Sequence, residues 1–263
     1  MNSQVKPTRS GDGTVGKALE VLDLVAAKGR PVRFGELLGE SPHPKATLYR
    51  LVQTLTNQGM LAYDESSQTY SPGLRLVRLA HAAWQQSSLA PIARPFLDDL
   101  SREVGETIHL AQLDEGQVLY VDKRNALKPI EMFSAAGKVG PGYCTGVGKA
   151  MIAHLDEKAR EAVILRQSFY VHTPKTIATA EAFRTELDEI RREGIAFDRE
   201  EHEPGIICIS APILGSTGRV LGAMSITTST QLKTLEELTK LRPALTKTAQ
   251  KIAEAAESWQ FPT

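Results

Sequence analysis

The fold is decided by the stretch Phe34-Gly35-Glu36-Leu37-Leu38, then Ser41-Pro42-His43, then Pro44-Lys45-Ala46-Thr47-Leu48-Tyr49-Arg50-Leu51-Val52-Gln53-Thr54-Leu55. It predicts a short helix, a break and a longer second helix, with Pro44 at the first helical position and Gly59 just past the end. One side of the second helix is apolar at helical spacing: Leu48, Leu51, Val52 and Leu55. The other side carries residue types that bind phosphates and base edges: Lys45, Thr47, Arg50, Gln53, Thr54 and Asn57. The pattern predicts a helix-turn-helix.

Two short β-prone runs follow, at residues 60–63 and 69–72, and the polar turn 64–68 separates them. They predict a hairpin, the wing of a winged helix-turn-helix. Upstream, apolar residues recur on one helical face over residues 15–26, and Gly29 ends that helix. A helix-turn-helix pattern alone suits any three-helix unit with a solvated face, so the hairpin is what favours DNA binding.

The charge of the chain is unevenly distributed. The chain has 263 residues, of which 41% are hydrophobic, and this is enough for the cores of two domains. Its formal net charge is zero. Residues 1–78, however, contain ten basic and seven acidic residues, a net charge of +3. This mild excess predicts a DNA-binding protein that depends on a few placed contacts and on dimerisation, not on a strong cationic field.

Several classes of protein are disfavoured by composition. The sequence has no apolar run near the roughly 18 residues of a membrane span and no signal-peptide pattern. Its two cysteines, Cys144 and Cys208, cannot form a disulfide framework. We therefore expect a soluble, cytoplasmic protein without a membrane partner. Residues 1–10 are polar and aperiodic, which predicts a disordered tail.

The rest of the chain mixes strands and helices. A helix at residues 73–86 is predicted as a connector, and Trp84 on it suits a dimer interface or packing into the next domain equally well. Further helices are predicted at 92–104, within 146–166, at 179–193 and from about 234 to 258. Strands are predicted at 106–113, 117–122, 129–134, 195–198, 205–214 and 219–227. Such a mixture with tight hairpins indicates an α+β domain built on an antiparallel sheet.

Five segments occur together in a specific order. They are residues 44–55, residues 105–116, Tyr143-Cys-Thr-Gly-Val-Gly-Lys-Ala150, Asp198-Arg-Glu-Glu201 and Gly205-Ile-Ile-Cys-Ile-Ser-Ala-Pro212. In this combination nearly the whole chain resembles the isocitrate-lyase-regulator-like (IclR) family of bacterial transcription regulators. The resemblance implies a winged helix-turn-helix domain at 11–72, a linker helix at 73–90 and a GAF-like effector-binding domain at 91–263. It also implies a homodimer or homotetramer on palindromic, double-stranded operator DNA, a small-molecule effector, no cofactor and no enzymatic activity.

The resemblance also implies an effector site, whose residues are Met132, Gly146, Val147, Asp198, Cys208, Ser225 and Thr227. Backbone N–H groups at Gly146 and Val147, before a helix, can bind an anion. Ser225 and Thr227, two positions apart, share one face of a strand and can add donors. Thr227 replaces a serine of other members, and Val147 an alanine. Without the resemblance, Ser225 and Thr227 would be assigned to backbone hydrogen bonding and Cys208 to core packing.

Other chemistries fit the sequence less well. The segment 142–150 resembles a phosphate-binding loop, but Tyr143 stands where that motif needs its first glycine and Ala150 where it needs serine or threonine. The run from Gly140 likewise lacks a dinucleotide fingerprint. A zinc site is disfavoured, because no two of the candidate ligands have the short sequence spacing typical of zinc sites. These candidates are Cys144, Cys208, His109, His154, His172 and His202. A cysteine hydrolase using Cys144 or Cys208 stays open at this stage.

The sequence thus predicts a DNA-binding transcription regulator, in particular a repressor of a catabolic operon released by a small organic acid such as a sugar acid or a 2-oxo acid. Thr47 and Arg50 are expected to read base edges, while Lys45 and Tyr49 hold the DNA backbone. An effector-dependent activator is the first alternative. The second is a small-molecule-processing enzyme with an accessory winged helix.

Overall fold

The computed structural model describes residues 13–257, which divide into two compact units between Ala83 and Trp84. The tail predicted at residues 1–10 lies outside the described residues. The first unit contains α1 (Gly13–Ala27), β1 (Val32–Arg33), α2 (Phe34–Glu40), α3 (Lys45–Asn57), β2 (Leu61–Asp64) and β3 (Thr69–Pro72). The order is that of a winged helix-turn-helix, as predicted.

The apolar stripe of α3 forms the centre of the first unit. Its four members are buried against α1, α2 and the wing: Leu48, Leu51, Val52 and Leu55. Gly59 has a φ of +69° just after α3, a backbone conformation that glycine adopts without strain. Pro44 is the N-cap of α3 and not its first helical residue, a correction of one position. The short strand β1 pairs with β3 and was not predicted, because two residues carry no readable alternation.

Helix α4 (Leu74–Ser87) contains the division between the two units. Trp84, on the second side of that division, is half-buried, and its indole N–H donates to the carbonyl of Val121 over 3.3 Å. The Arg94 guanidinium carbon lies 4.8 Å from the centre of the same ring. These contacts confirm the predicted packing of Trp84 into the domain that follows α4, while its place in a dimer interface stays a prediction.

The second unit is an α+β domain with an antiparallel sheet. It contains α5 (Ala90–Val104), β4 (Thr107–Asp114), β5 (Gln117–Arg124), β6 (Val139–Gly140), α6 (Gly146–Ala153), α7 (Glu157–Ile164), α8 (Ala180–Glu193), β7 (Ala196–Arg199), β8 (Ile206–Leu214), β9 (Val220–Ser229), α9 (Leu235–Thr239) and α10 (Arg242–Ala256). The described strands pair in the order β6-β5-β4-β9-β8-β7.

Helices cover both faces of this sheet, and strand alternation decides which side chains meet them. On β9, Ile226 faces the core that α5 and α10 close. Ser225 and Thr227 point to the other face, where α6 and α8 pack. Polar residues at alternate positions therefore become buried beside α6.

Two predicted elements are wrong. Residues 129–134 form no strand: the N–H of Phe133 bonds to the Glu203 carboxylate and the carbonyl of Ser134 to Lys123, so side chains replace a strand ladder there. The helix predicted from about 234 to 258 is divided into α9 and α10. Pro243 lies in the first turn of α10 and cannot continue a helix from before it, because it has no N–H and its ring clashes with the preceding turn.

No helix within residues 13–257 combines the length and the apolar character that a bilayer crossing requires.

Candidate functional site

The exposed side of α3 is the first candidate site. Lys45, Tyr49 and Arg50 are exposed, and Thr47 is half-buried. The ring of Tyr49 packs edge-on against Phe34 of α2, with centroids 5.9 Å apart, which fixes its direction. Within residues 13–257 neither Lys45 nor Arg50 forms an ion pair, and both side chains are exposed to solvent. The four residues predicted to bind DNA therefore lie along the N-terminal half of α3, the part of a recognition helix that enters the major groove.

The second candidate site is a cavity in the second unit. All seven residues predicted for the effector site line it: Met132, Gly146, Val147, Asp198, Cys208, Ser225 and Thr227. Seven further lining residues were not predicted: His109, Tyr120, Ser134, Thr145, His202, Glu203 and Ile206. The cavity volume is about 30 Å³, which is room for roughly two water molecules.

Strand register brings the polar residues of the cavity together. Cys208 of β8 lies opposite Thr227 of β9, and Ser225 lies opposite His109 of β4. Asp198 of β7 is the partner of Cys208 on its other side. Alternation then points these side chains to one face of the sheet. Register between distant strands cannot be read from one sequence, which is why His109 was missed.

Gly146 lets α6 approach this wall closely. A Cβ atom at this position would lie 2.4 Å from the Ser210 Oγ and 2.5 Å from the Cys208 Sγ. The first N–H groups of α6, at Gly146 and Val147, have no carbonyl partner within the helix and carry the positive end of its dipole. They therefore supply hydrogen-bond donors at the cavity.

His109 connects three hydroxyl groups at the back of the cavity. Its Nε2 is 2.7 Å from the Ser134 Oγ, and its Nδ1 is 3.3 Å from the Ser225 Oγ and 3.2 Å from the Thr227 Oγ1. Complete burial, with a smaller contribution from Lys123, lowers the pKa of His109 to about 3. The ring is therefore neutral near pH 7, with one donor and one acceptor nitrogen.

Asp198 is the buried acid of the cavity. Its Oδ1 accepts the N–H of Glu201 over 2.7 Å. Burial, and then the negative charge of Glu201, raise the pKa of Asp198 to about 7. A carboxyl group in this state exchanges a proton near neutral pH.

A buried ion-pair network lies behind Asp198. The Lys149 ammonium of α6 is fully buried and bonds to Glu201 over 2.6 Å and to Glu186 of α8 over 2.9 Å. Arg199 adds a second cation, 3.2 Å from Glu186. These pairs connect α6, α8 and the segment between β7 and β8.

A second acid, Glu203, stands beside Phe133 and His202. Both of its oxygens lie 3.0 Å from the N–H of Phe133. Partial burial opposes ionisation, but hydrogen bonds from His202 and Phe133 outweigh it and lower the pKa of Glu203. This carboxylate is therefore ionised at neutral pH.

The cysteines do not have the character of nucleophiles. Both thiols are buried, and burial raises the pKa of Cys208 to about 12 and that of Cys144 also far above its usual value. A catalytic thiol needs the opposite shift. Rings of His172 and His202 lie 4.9 Å apart, yet no three potential ligands within residues 13–257 are grouped so that they could hold a metal ion.

A winged helix-turn-helix followed by an antiparallel α+β domain with a buried polar cavity defines a class of protein, the ligand-responsive DNA-binding regulators. The model of the IclR helix-turn-helix domain matches residues 14–65, and that of the bacterial transcriptional regulator IclR C-terminal matches residues 81–254. The chain belongs to the IclR family of bacterial transcriptional regulators. It is therefore a DNA-binding transcription regulator and not an enzyme, which removes the hydrolase alternative.

Relatives with known names agree with this assignment. The chain is 31% identical over 251 residues to the HTH-type transcriptional regulator KdgR of Escherichia coli K12, covering 95% of each protein. It is 25% identical over 241 residues to the acetate operon repressor of Salmonella typhimurium, covering 91% of this chain and 88% of that one. The crystal structure of the Thermotoga maritima IclR covers 93% of this chain and 98% of its own, with 27% identity and a TM-score of 0.74.

Proposed function

We propose that this protein represses a catabolic operon and leaves its operator when a small organic acid binds the cavity of the second unit. The observation that supports this most is that Asp198, Gly146, Ser225 and Thr227 line one partly open cavity. A concave site with a few converging polar groups is the usual form of a small-molecule site.

DNA recognition is assigned to α3. Arg50 and Thr47 would contact base edges in the major groove, and Lys45 and Tyr49 would contact the phosphate backbone. The exposure of Lys45 and Arg50 supports this assignment. Helix α4 exposes Leu74 and Val77, which supports pairing with a second copy in a homodimer or homotetramer, and such pairing matches palindromic half-sites.

The effector is assigned to the small carboxylic acids. N–H groups at Gly146 and Val147 and hydroxyls at Ser225 and Thr227 can hold a carboxylate and a neighbouring oxygen. Because the cavity measures only about 30 Å³, side chains must shift before an acid enters, and the small volume favours short 2-oxo acids. The hydroxyl groups of Ser225 and Thr227 favour sugar acids over aromatic acids, because they can bond to the hydroxyls of a sugar acid. The protein is expected to act in the cytoplasm.

Release from DNA, rather than tighter binding, is the favoured response. The Salmonella relative is named as a repressor, and this supports repression over activation here. Coupling between the acid and the operator requires that the acid prefer one state of the protein, typically by about 1–3 kcal/mol.

Calorimetric titration of the full chain with sodium pyruvate and sodium gluconate tests the cavity. The double variant Ser225→Ala with Thr227→Ala should lose at least about tenfold in affinity for the acid that binds, because two donors disappear. Thr228→Val is a matched control, since this neighbouring residue points to the other face of β9 and should retain wild-type affinity. Equal affinity in the double variant would contradict the assignment of the cavity.

A further inference from the structure

The cavity has an unexpected charge for a site that takes an acid. No lysine or arginine is among its described lining residues, whereas two carboxyl groups are, Asp198 and Glu203. His109 adds no positive charge because it is neutral at physiological pH. His202, the other histidine of the lining, stands 3.7 Å from the Glu203 carboxylate, so any charge on it is balanced by Glu203 and not by Asp198. An anion that enters the cavity therefore meets like charge, which costs free energy in a buried place where screening by solvent and salt is weak.

The charges behind the cavity do not remove this cost. Lys149 and Arg199 pair with Glu186 and Glu201, so two cations already balance two anions. No cation of this network is left to neutralise Asp198. An ionised Asp198 would add one uncompensated negative charge to a group that is 6% exposed.

The groups that face Asp198 come from every element packed against it. From the strands these groups are Cys208 of β8 and Tyr120 of β5. From the helix side they are Lys149 of α6 and Cys144, which lies just before that helix. The turn after β7 adds Glu201 and His202. Glu203, the other acid of the cavity, is held by the N–H of Phe133 and stays ionised. Asp198 is thus the carboxyl group in this cavity that can gain a proton at little cost.

We infer that the cavity binds a monoanionic carboxylate together with one proton, and that Asp198 takes up this proton from solvent. The inference rests on the proposed function and specifies the ionic form in which the effector is held. Asp198 Oδ1 keeps the N–H of Glu201, and the proton resides on the other oxygen, as an O–H that donates to the ligand. Uptake leaves the net charge of cavity plus ligand unchanged when the anion enters.

The pH dependence of binding follows from this coupling. The raised pKa of Asp198, about 7, means that the free protein is increasingly ionised at this residue above neutral pH. Above that pKa the association constant of an acid should fall about tenfold per pH unit, because each binding event must also bind a proton. Well below it, affinity should be independent of pH.

Proton uptake is measured directly by calorimetry of the full chain in HEPES and in Tris at about pH 8. These buffers differ in ionisation enthalpy, so the difference between the two observed enthalpies gives the number of protons exchanged. Sodium pyruvate and sodium gluconate are the acids, and sorbitol is the uncharged counterpart of gluconate. We expect uptake of about one proton with the acid that binds, and no heat with sorbitol.

Two variants identify the residue that takes up the proton. Asp198→Asn keeps an oxygen for the N–H of Glu201 and presents an N–H₂ donor, so it should bind the acid with no proton uptake and with an affinity that no longer falls with pH. Glu203→Gln removes the other carboxylate and should still take up about one proton. Together these two results would support Asp198 as the proton acceptor.

The contradicting results separate this inference from the proposed function. Binding of an acid without proton exchange, or uptake that persists in Asp198→Asn, would overturn the role of Asp198 and leave the acid effector intact. Binding of sorbitol but of neither acid would overturn both, because the cavity would then select an uncharged ligand. If neither acid bound, the proposed effector class would be contradicted and this inference with it.

Discussion

Adjacent threonines on β9 have opposite surroundings. Thr227 meets His109 in the cavity, whereas Thr228 is fully buried on the other face and its hydroxyl has no hydrogen-bond partner within the described residues. A buried hydroxyl without a partner costs free energy. Thr228→Val should therefore raise the free energy of unfolding by about 1 kcal/mol, measured by urea denaturation. A loss of stability would mean that this hydroxyl is bonded in solution.

The ionisation of Asp198 predicts a pH-dependent stability. Its pKa is raised by burial to about 7, above the 3.8 of an unperturbed aspartate, so the folded state holds the proton more tightly than the unfolded state. Stability should therefore fall as pH rises through this interval and level off above pH 7. Asp198→Asn lacks this loss, and its advantage in unfolding free energy should grow by about 2–3 kcal/mol between pH 5 and pH 8. An unchanging difference in parallel urea titrations would show that Asp198 is ionised throughout.

Single residues of the cavity were predictable from the sequence only through the family resemblance. Gly146, Asp198, Ser225 and Thr227 follow from the family resemblance, and the structure brings them to one cavity. His109 lies in a motif too, but its contacts with Ser225 depend on pairing between strands more than 100 positions apart, which no local pattern encodes.

At the scale of the elements, the ion pairs of the buried Lys149 attach α6 to its neighbours. Lys149 is fully buried between Glu186 and Glu201, so its removal leaves the buried Glu201 carboxylate without its cation, whereas the partly exposed Glu186 keeps Arg199. Lys149→Met should lower the free energy of unfolding by about 3–5 kcal/mol. Lys175→Met is the matched control, because Lys175 pairs with Glu200 at the surface with 58% of its side chain exposed, and it should cost at most about 1 kcal/mol. Similar losses in thermal or urea unfolding would remove the special role of the α6 network.

The proposed role of α3 can be tested with variants that remove either a base contact or a phosphate contact. Arg50→Ala should weaken specific operator binding by about 1–3 kcal/mol and relax the preference for one base pair. Lys45→Ala should weaken binding to all sequences alike and reduce the salt dependence. Arg102→Ala, at an exposed position of α5, should change neither in gel-shift titrations. If Arg50→Ala weakened specific and random DNA equally, Arg50 would contact phosphate and not bases.

Elements with strong local signals were predicted well. The stripe of α3 and the turn of the wing each depend on residues close in sequence, and both are present. The strand predicted at 129–134 is absent because Glu203, some 70 positions later, takes the N–H of Phe133. The last helix was predicted too long because Pro243 was not used as a start signal.

At the scale of the whole molecule, the two parts of the proposed function belong to different units. The surface proposed for DNA lies before Ala83, and the cavity proposed for the acid lies after Trp84. Helix α4 contains the division between the units and connects them covalently, so the proposed function assigns to it the coupling between acid and DNA. The order of the units was predictable from the sequence, whereas the direction of the response was not, because no residue pattern fixes its sign.

Fluorescence anisotropy of the full chain on a DNA fragment from upstream of its own gene, with and without pyruvate and gluconate, tests the proposed repressor most directly. A salt series and a random fragment of equal length are the controls. We expect tight, salt-dependent binding to the upstream fragment and a loss of roughly 5- to 150-fold in affinity when one of the acids is added. Tighter binding in the presence of the acid, or an affinity that neither acid changes, would contradict an acid-released repressor.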